Sequence, residues 1–172
     1  VAKNKEFINF AEEISKIGLI KFGKMDDILN SRTKNKKSVK DELVDLISKI
    51  GEKLTLRRSA FLENEKYINF SYTHLPIKNN VGKIGVLLSL KTKKSRKDIE
   101  NLGKQLTMQV ASLSPLAIDE KDLDPKIIAK EKEIITEELK NSGKEPKIIE
   151  KIAIGKLNKF IAENTLLNQD WI

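Results

Sequence analysis

Apolar residues recur along this chain at two periods, and the period changes at Gly51. Over residues 3–18, Phe7, Ile8, Phe10, Ala11, Ile14 and Ile17 fall at steps of three and four, the stripe of an amphipathic helix. A short helix is expected near Met25–Asn30. Ser38, with Asp41 three residues on, has the form of a helix cap, and Val39, Leu43, Leu46, Ile47 and Ile50 line one face of the helix it opens. Gly51 suits the position just past that helix, where a positive φ is wanted and only glycine adopts it without strain. The result is a rigid corner with an exposed Ile50–Gly51 edge.

Beyond Gly51 the period is two. Leu54, Leu56, Ala60 and Leu62 share a face of 53–63; Ile68, Phe70 and Tyr72 share one of 66–74; Ile84, Val86, Leu88 and Leu90 share one of 83–91. Three such runs joined by short links predict an antiparallel meander over 53–91, apolar on one side. Arg58 interrupts the first run, as a sheet-edge arginine does when its stem packs and its head reaches water. Ser95, with Asp98 three residues later, opens a further helix whose stripe is Ile99, Leu102, Leu106, Val110 and Leu113; Ser114–Pro115 ends it. Residues 1–118 therefore predict an α+β domain, helices packed on a three-stranded antiparallel sheet.

The last third, residues 119–172, is helical. A helix over 125–141 turns Ile127, Ile128, Ile134, Ile135 and Leu139 inward, Asn141–Ser142–Gly143 stops it, and Pro146 sits near the start of the next. That one runs to about Asn164 with Ile149, Ile152, Ala153, Leu157 and Phe160 on one face. Together they predict a projecting antiparallel helical hairpin of coiled-coil type, a seam within the chain or a surface for dimerisation or docking.

Composition narrows the chemistry. The chain is 39% apolar and 34% charged, as a globular protein is. No run of about 18 apolar residues is present to span a membrane, and the N-terminus lacks a signal-peptide pattern. It also lacks an initial Met, which suggests a fragment or a processed start. Cysteine is absent, which suits a reducing, cytosolic setting. With His74 as the single histidine, neither a zinc site nor a cofactor is expected, and a Ser–His pair would have to use that residue. The net charge is +8, and the first 118 residues hold 23 basic and 13 acidic side chains. The clusters at Arg32–Lys40 and Lys91–Lys97 supply most of the excess. Such clusters bind phosphates or are simply solvated loops, and the scarce aromatics, in core-like positions, argue against single-strand recognition.

Several motifs add up to a family. Met108-Gln109-Val110-Ala111 is followed by Ser114-Pro115-Leu116. Lys130-Glu131-Lys132-Glu133-Ile134, Gly143-Lys144, Ile148-Ile149-Glu150-Lys151-Ile152, Gly155, Leu157, Lys159-Phe160 and Leu166-Leu167-x-Gln169 keep a common order and spacing. Upstream stand Ile50-Gly51-Glu52, Arg57-Arg58, Tyr72-x-His74 and Gly82-x-Ile84-Gly85-Val86-Leu87. In these the chain resembles bacterial and organellar elongation factor Ts, the nucleotide exchange factor of the GTPase elongation factor Tu, over almost its whole length. Pro146 stands one place later than the family's usual turn proline, and Leu75–Val81 is longer and less glycine-rich than usual.

The resemblance implies a protein that performs no covalent step. It would bind elongation factor Tu carrying GDP and promote GDP release by disturbing the Mg²⁺ and phosphate site, in the bacterial cytoplasm or an organelle matrix. Val1, Ala2, Lys3 and Asn4 resemble the tail of the family's Thr-Asp-Phe-Val-Ala-(Arg/Lys)-Asn motif, whose Asp and Phe wedge between helices of the GTPase. A small helical domain would precede Val1 and further core strands would follow Ile172. Ile50, Gly51 and His74 resemble positions that touch the GTPase; Gly51 is equally a helix cap, and Asn4 a helix-start residue. Two other readings stand beside this one: a basic RNA- or ribosome-binding module resting on the lysine clusters, and an oligomerisation domain built on the hairpin.

Overall fold

The computed structural model describes residues 3–63, 66–140, 143 and 145–172. The elements, in chain order, are α1 (Lys5–Ile20), α2 (Met25–Asn30), α3 (Val39–Ile50), β1 (Ile68–Lys78), β2 (Val81–Leu90), α4 (Arg96–Leu113), a 3-10 turn (Glu120–Asp122), α5 (Pro125–Lys140) and α6 (Pro146–Asn164). They form two compact units, Val1–Thr107 and Met108–Ile172.

In the first unit the helices begin and end where local chemistry dictates. Asn4 caps α1: its Oδ1 accepts from the N–H groups of Glu6 at 2.8 Å and Phe7 at 3.2 Å, satisfying two donors that have no partner inside the helix. Ser38 caps α3 by accepting from Asp41 N–H at 3.0 Å. Gly51 ends α3 at φ 76°, ψ 13°, its N–H donating to Ile47 O at 2.8 Å. The stripes of α1 and α3 meet in a core of Phe10, Val39 and Leu46, against which Phe7, Ile14, Ile17, Ile50 and Leu54 pack.

The sheet corrects the expected meander: among the described residues it has two strands, not three. Lys53–Glu63 enters no strand. Leu54 instead covers the Phe10 core, Phe61 meets Phe22 edge to face at 5.2 Å, and the carbonyls of Leu62 and Glu63 accept from the Asn69 side-chain amide. Alternation records that one side of an extended segment is covered. It does not say that a neighbouring backbone pairs with it, and here side chains supply the cover. The hairpin, in turn, is longer than expected. β1 continues through Leu75 to Lys78 and turns at Asn79–Asn80, with an irregularity between Pro76 and Lys78. Tyr72 stands opposite Val86 and His74 opposite Ile84.

β1 is anchored to α4 through Phe70. The Arg96 guanidinium lies 4.8 Å from the ring centroid and donates to Asn69 O at 3.0 Å. Ser95 and Asp98 form the reciprocal capping box that starts α4, the serine N–H donating to Asp98 Oδ2 at 3.1 Å and the aspartate N–H to Ser95 Oγ at 3.4 Å. Gly103 of α4 is buried, and a Cβ there would sit 2.5 Å from the Phe70 ring.

In the second unit, Ala117 bridges Thr165 in parallel, with Leu166 N–H donating to Ala117 O at 3.0 Å. Buried Gln109 holds the terminal segment from both sides, donating to Asp170 O at 2.9 Å and accepting from Ile172 N–H at 3.1 Å. α5 and α6 pack on each other as a helical hairpin, with Ile135, Leu139 and Ile161 buried and an ion pair between Glu138 and Lys156. Ile134, expected inward, is 43% exposed. Adjacent residues on a helix point about 100° apart, so a narrow seam that takes Ile135 and Leu139 leaves Ile134 outside.

Two glycine-to-alanine changes should have opposite signs. Gly103→Ala gains about 1 kcal/mol of helix propensity but drives a methyl into Phe70, which costs about 1–3 kcal/mol by overpacking, so it should lower stability or leave it unimproved. Gly155→Ala in α6 meets nothing within 4 Å and should stabilise by about 0.5–1 kcal/mol. Urea unfolding of both variants checks the contrast, and a clear gain at Gly103 would contradict the packing.

Candidate partner-binding surface

The corner singled out by the sequence is built from the start of α1 and the end of α3. Asn4, at the head of α1, spends its side-chain oxygen on the cap. Three residues on, Phe7 packs against the same core as Ile50. Outside that contact Lys49 reaches Glu6 at 3.3 Å. The structure therefore brings Lys3, Asn4, Ile50 and Gly51 to one end of the α1–α3 pair; Val1 and Ala2 lie outside the described residues. Lys3 and Gly51 are exposed and Ile50 is half-buried, one side in the core and the other at the surface. A Cβ on Gly51 would meet nothing within 4 Å, but the positive φ strains most side chains placed there, asparagine least.

His74 lies on β1, half-buried. Its Nδ1 is 3.1 Å from the Tyr72 hydroxyl and the two rings sit 6.0 Å apart at 43°. Leu75, directly after it, takes φ 48°, a conformation that non-glycine residues adopt at some cost. Among the described residues no hydrogen bond, ion pair or aromatic contact joins His74 to the Asn4–Ile50 corner. The sequence marks Tyr72 as a strand residue on the face of Ile68 and Phe70 and as part of the Tyr72-x-His74 motif, without a contact to His74. The signal that pairs it with His74 is the period of two, which sets residues i and i+2 on the same face.

Between α1, α3 and the turn of the hairpin runs an open groove of about 1050 Å³. Its charges pair with one another: Lys16 with Glu12 at 3.0 Å, Lys37 with Asp45, and Lys78 with Glu12. Lys78, directly before the turn, so ties the hairpin to the middle of α1. With Lys78 and Lys16 both donating to it, the Glu12 carboxyl is held down to a pKa of about 2, from an ordinary 4.5. Among the described residues no group of three or more His, Asp or Glu side chains is arranged to hold a metal ion, and no helix is long and apolar enough to cross a membrane.

This chain matches the family described as Elongation factor TS over residues 1–172. It belongs to the elongation factor Ts family. Curated relatives named elongation factor Ts agree along its whole length. That of Ruegeria sp. is 40% identical over 172 residues, that of Paracoccus denitrificans 36% and that of Gluconobacter oxydans 34%. The chain spans 56–57% of those relatives' lengths. Within the elongation factor Ts family, the α1–α3 corner and His74 are the surfaces to test against a protein partner.

The Glu12 tie has a definite pH sense. Its carboxyl is more acidic folded than unfolded, so its contribution is complete above the ordinary value of 4.5 and is lost as pH falls through about 2. The pairs are exposed, so the effect on global stability is small and screened by salt. Carbon-detected NMR should show the Glu12 carboxyl still ionised at pH 3. In Lys78→Met its midpoint should move up towards 4.5. A midpoint already at the ordinary value in the unmodified protein would contradict the contact.

Proposed function

We propose that the protein is a guanine-nucleotide exchange factor that binds elongation factor Tu carrying GDP in the bacterial cytoplasm and promotes GDP release by disturbing the Mg²⁺ and phosphate site. The observation that carries this reading is membership of the elongation factor Ts family along all 172 residues. The geometry supports it. A glycine corner free of neighbouring atoms, backed by a packed α1–α3 pair, can press on another protein without giving way. The residues assigned to the GTPase interface are Val1, Ala2, Lys3, Asn4, Ile50, Gly51 and His74. In Asn4 the side chain supports α1 and the backbone makes the contact.

Exchange of this kind needs no bond-making on the factor. The factor binds best to the GTPase form in which the nucleotide's phosphate site is distorted, and linkage then weakens GDP by the same factor by which GDP weakens the exchange factor. A coupling of about 3 kcal/mol is roughly 150-fold in affinity. Contacts that differ between the two forms of the GTPase must supply it, because binding both equally shifts nothing.

Stopped-flow release of a fluorescent GDP from elongation factor Tu, with the full-length protein added, tests the proposal: release should accelerate in proportion to factor concentration until saturation, and no acceleration refutes it. Gly51 separates contact from cap. Asparagine tolerates positive φ, so Gly51→Asn should keep the melting temperature within about 2 °C, as a change of a few tenths of a kcal/mol would. It should nevertheless slow exchange by about tenfold through the side chain it adds at the contact, a loss near 1.4 kcal/mol. Unchanged exchange with unchanged stability would leave Gly51 a helix cap alone.

A further inference from the structure

We infer that Tyr72 is a positioning residue that sets the tautomer of His74, so that His74 offers an N–H donor to an acceptor oxygen on its protein partner. The inference rests on the reading of His74 as a partner contact and adds the chemistry of that contact.

Tyr72 and His74 are two apart on β1 and so share a face, with hydroxyl and Nδ1 at 3.1 Å. One hydrogen lies between them. A phenolic O–H is the stronger donor, and a bare imidazole nitrogen the stronger acceptor, of the two groups. The favoured arrangement therefore has Tyr72 donating to Nδ1, which leaves the imidazole proton on Nε2. Nε2 has no hydrogen-bond partner among the described residues, and it is the atom His74 has left for a partner.

The strand that carries the pair is held on both sides of it. Tyr72 stands opposite Val86, which is 7% exposed, and the Phe70 anchor lies two residues before it. On the far side, β2 comes so close that a Cβ on Gly82 would sit 2.5 Å from Thr73 Cγ2 and 2.7 Å from His74 O. A histidine whose ring and tautomer are both set by the Tyr72 hydroxyl discriminates. It pays no tautomer or rotamer cost on meeting a carbonyl or carboxylate oxygen, and it fails against a donor.

Long-range ¹H–¹⁵N correlation of the imidazole in the full-length protein, under alkaline conditions that keep the ring neutral, reads the tautomer directly. The expected result is the Nε2–H form in the unmodified protein and a mixture of forms in Tyr72→Phe. That variant should slow GDP release from elongation factor Tu by about two- to tenfold, the weight of one hydrogen bond, with an unchanged melting temperature. His74→Gln, which keeps an N–H donor, should retain more exchange than His74→Leu. An Nδ1–H form in the unmodified protein, or an unaltered tautomer in Tyr72→Phe, overturns the role of Tyr72. Undiminished exchange in His74→Ala, alongside the expected tautomers, instead overturns the contact reading on which the inference stands.

Discussion

The stripe of α1 packs against the stripe of α3, and the geometry of the candidate corner follows from that contact. Phe10, Val39 and Leu46 are buried at the seam, Val39 completely. Removing each such side chain from water is worth about 1.5–3 kcal/mol, whereas an exposed pair such as Lys49–Glu6 contributes about 1 kcal/mol or less. Apolar burial therefore holds the helices, and the ion pairs decorate them. Because the start of α1 meets the end of α3, the Asn4 cap and the Gly51 cap lie at the same end. Ile50 belongs to both worlds: one side of it completes the core, and the other forms the edge.

The hairpin depends on the same unit in a different way. Near its base, Phe70 is held by α4, between Arg96 at the start of that helix and Gly103, whose lack of a side chain makes room for the ring. Near its turn, Lys78 is held by Glu12 on α1. His74 lies between these two attachments. A strand fastened by a buried aromatic at one point and an exposed ion pair at another is firm at the first and adjustable at the second, since only the ion pair yields to salt and acid. That arrangement sets the Tyr72–His74 face between a firm attachment and an adjustable one.

The elongation factor Ts family was legible before any coordinates, and the match over residues 1–172 bears that family out. The roles of individual side chains were less so. Asn4 could be read as part of a partner motif or as a helix start, and its oxygen is in fact engaged by Glu6 and Phe7. Leu54, Leu56, Ala60 and Leu62 alternate as a third strand would, although among the described residues their segment pairs with no strand. Ile134 lies beside the apolar stripe in sequence, but the seam takes only Ile135 and Leu139.

By itself the sequence determined what is local. The caps at Asn4, Ser38, Ser95 and Gly51, the helices they bound, and the two alternating runs that became β1 and β2 all depend on residues a few positions apart, and a few positions are enough to satisfy a helix end or to choose a face. Tertiary structure decided what depends on partners distant in the chain. It denied the third strand its ladder and carried β1 past His74 to Lys78. It also seated Phe70 on Gly103, and set Glu12 between Lys16 and Lys78. Those outcomes turn on which surfaces meet, and a pattern of apolar positions says that a surface will be covered without saying by what.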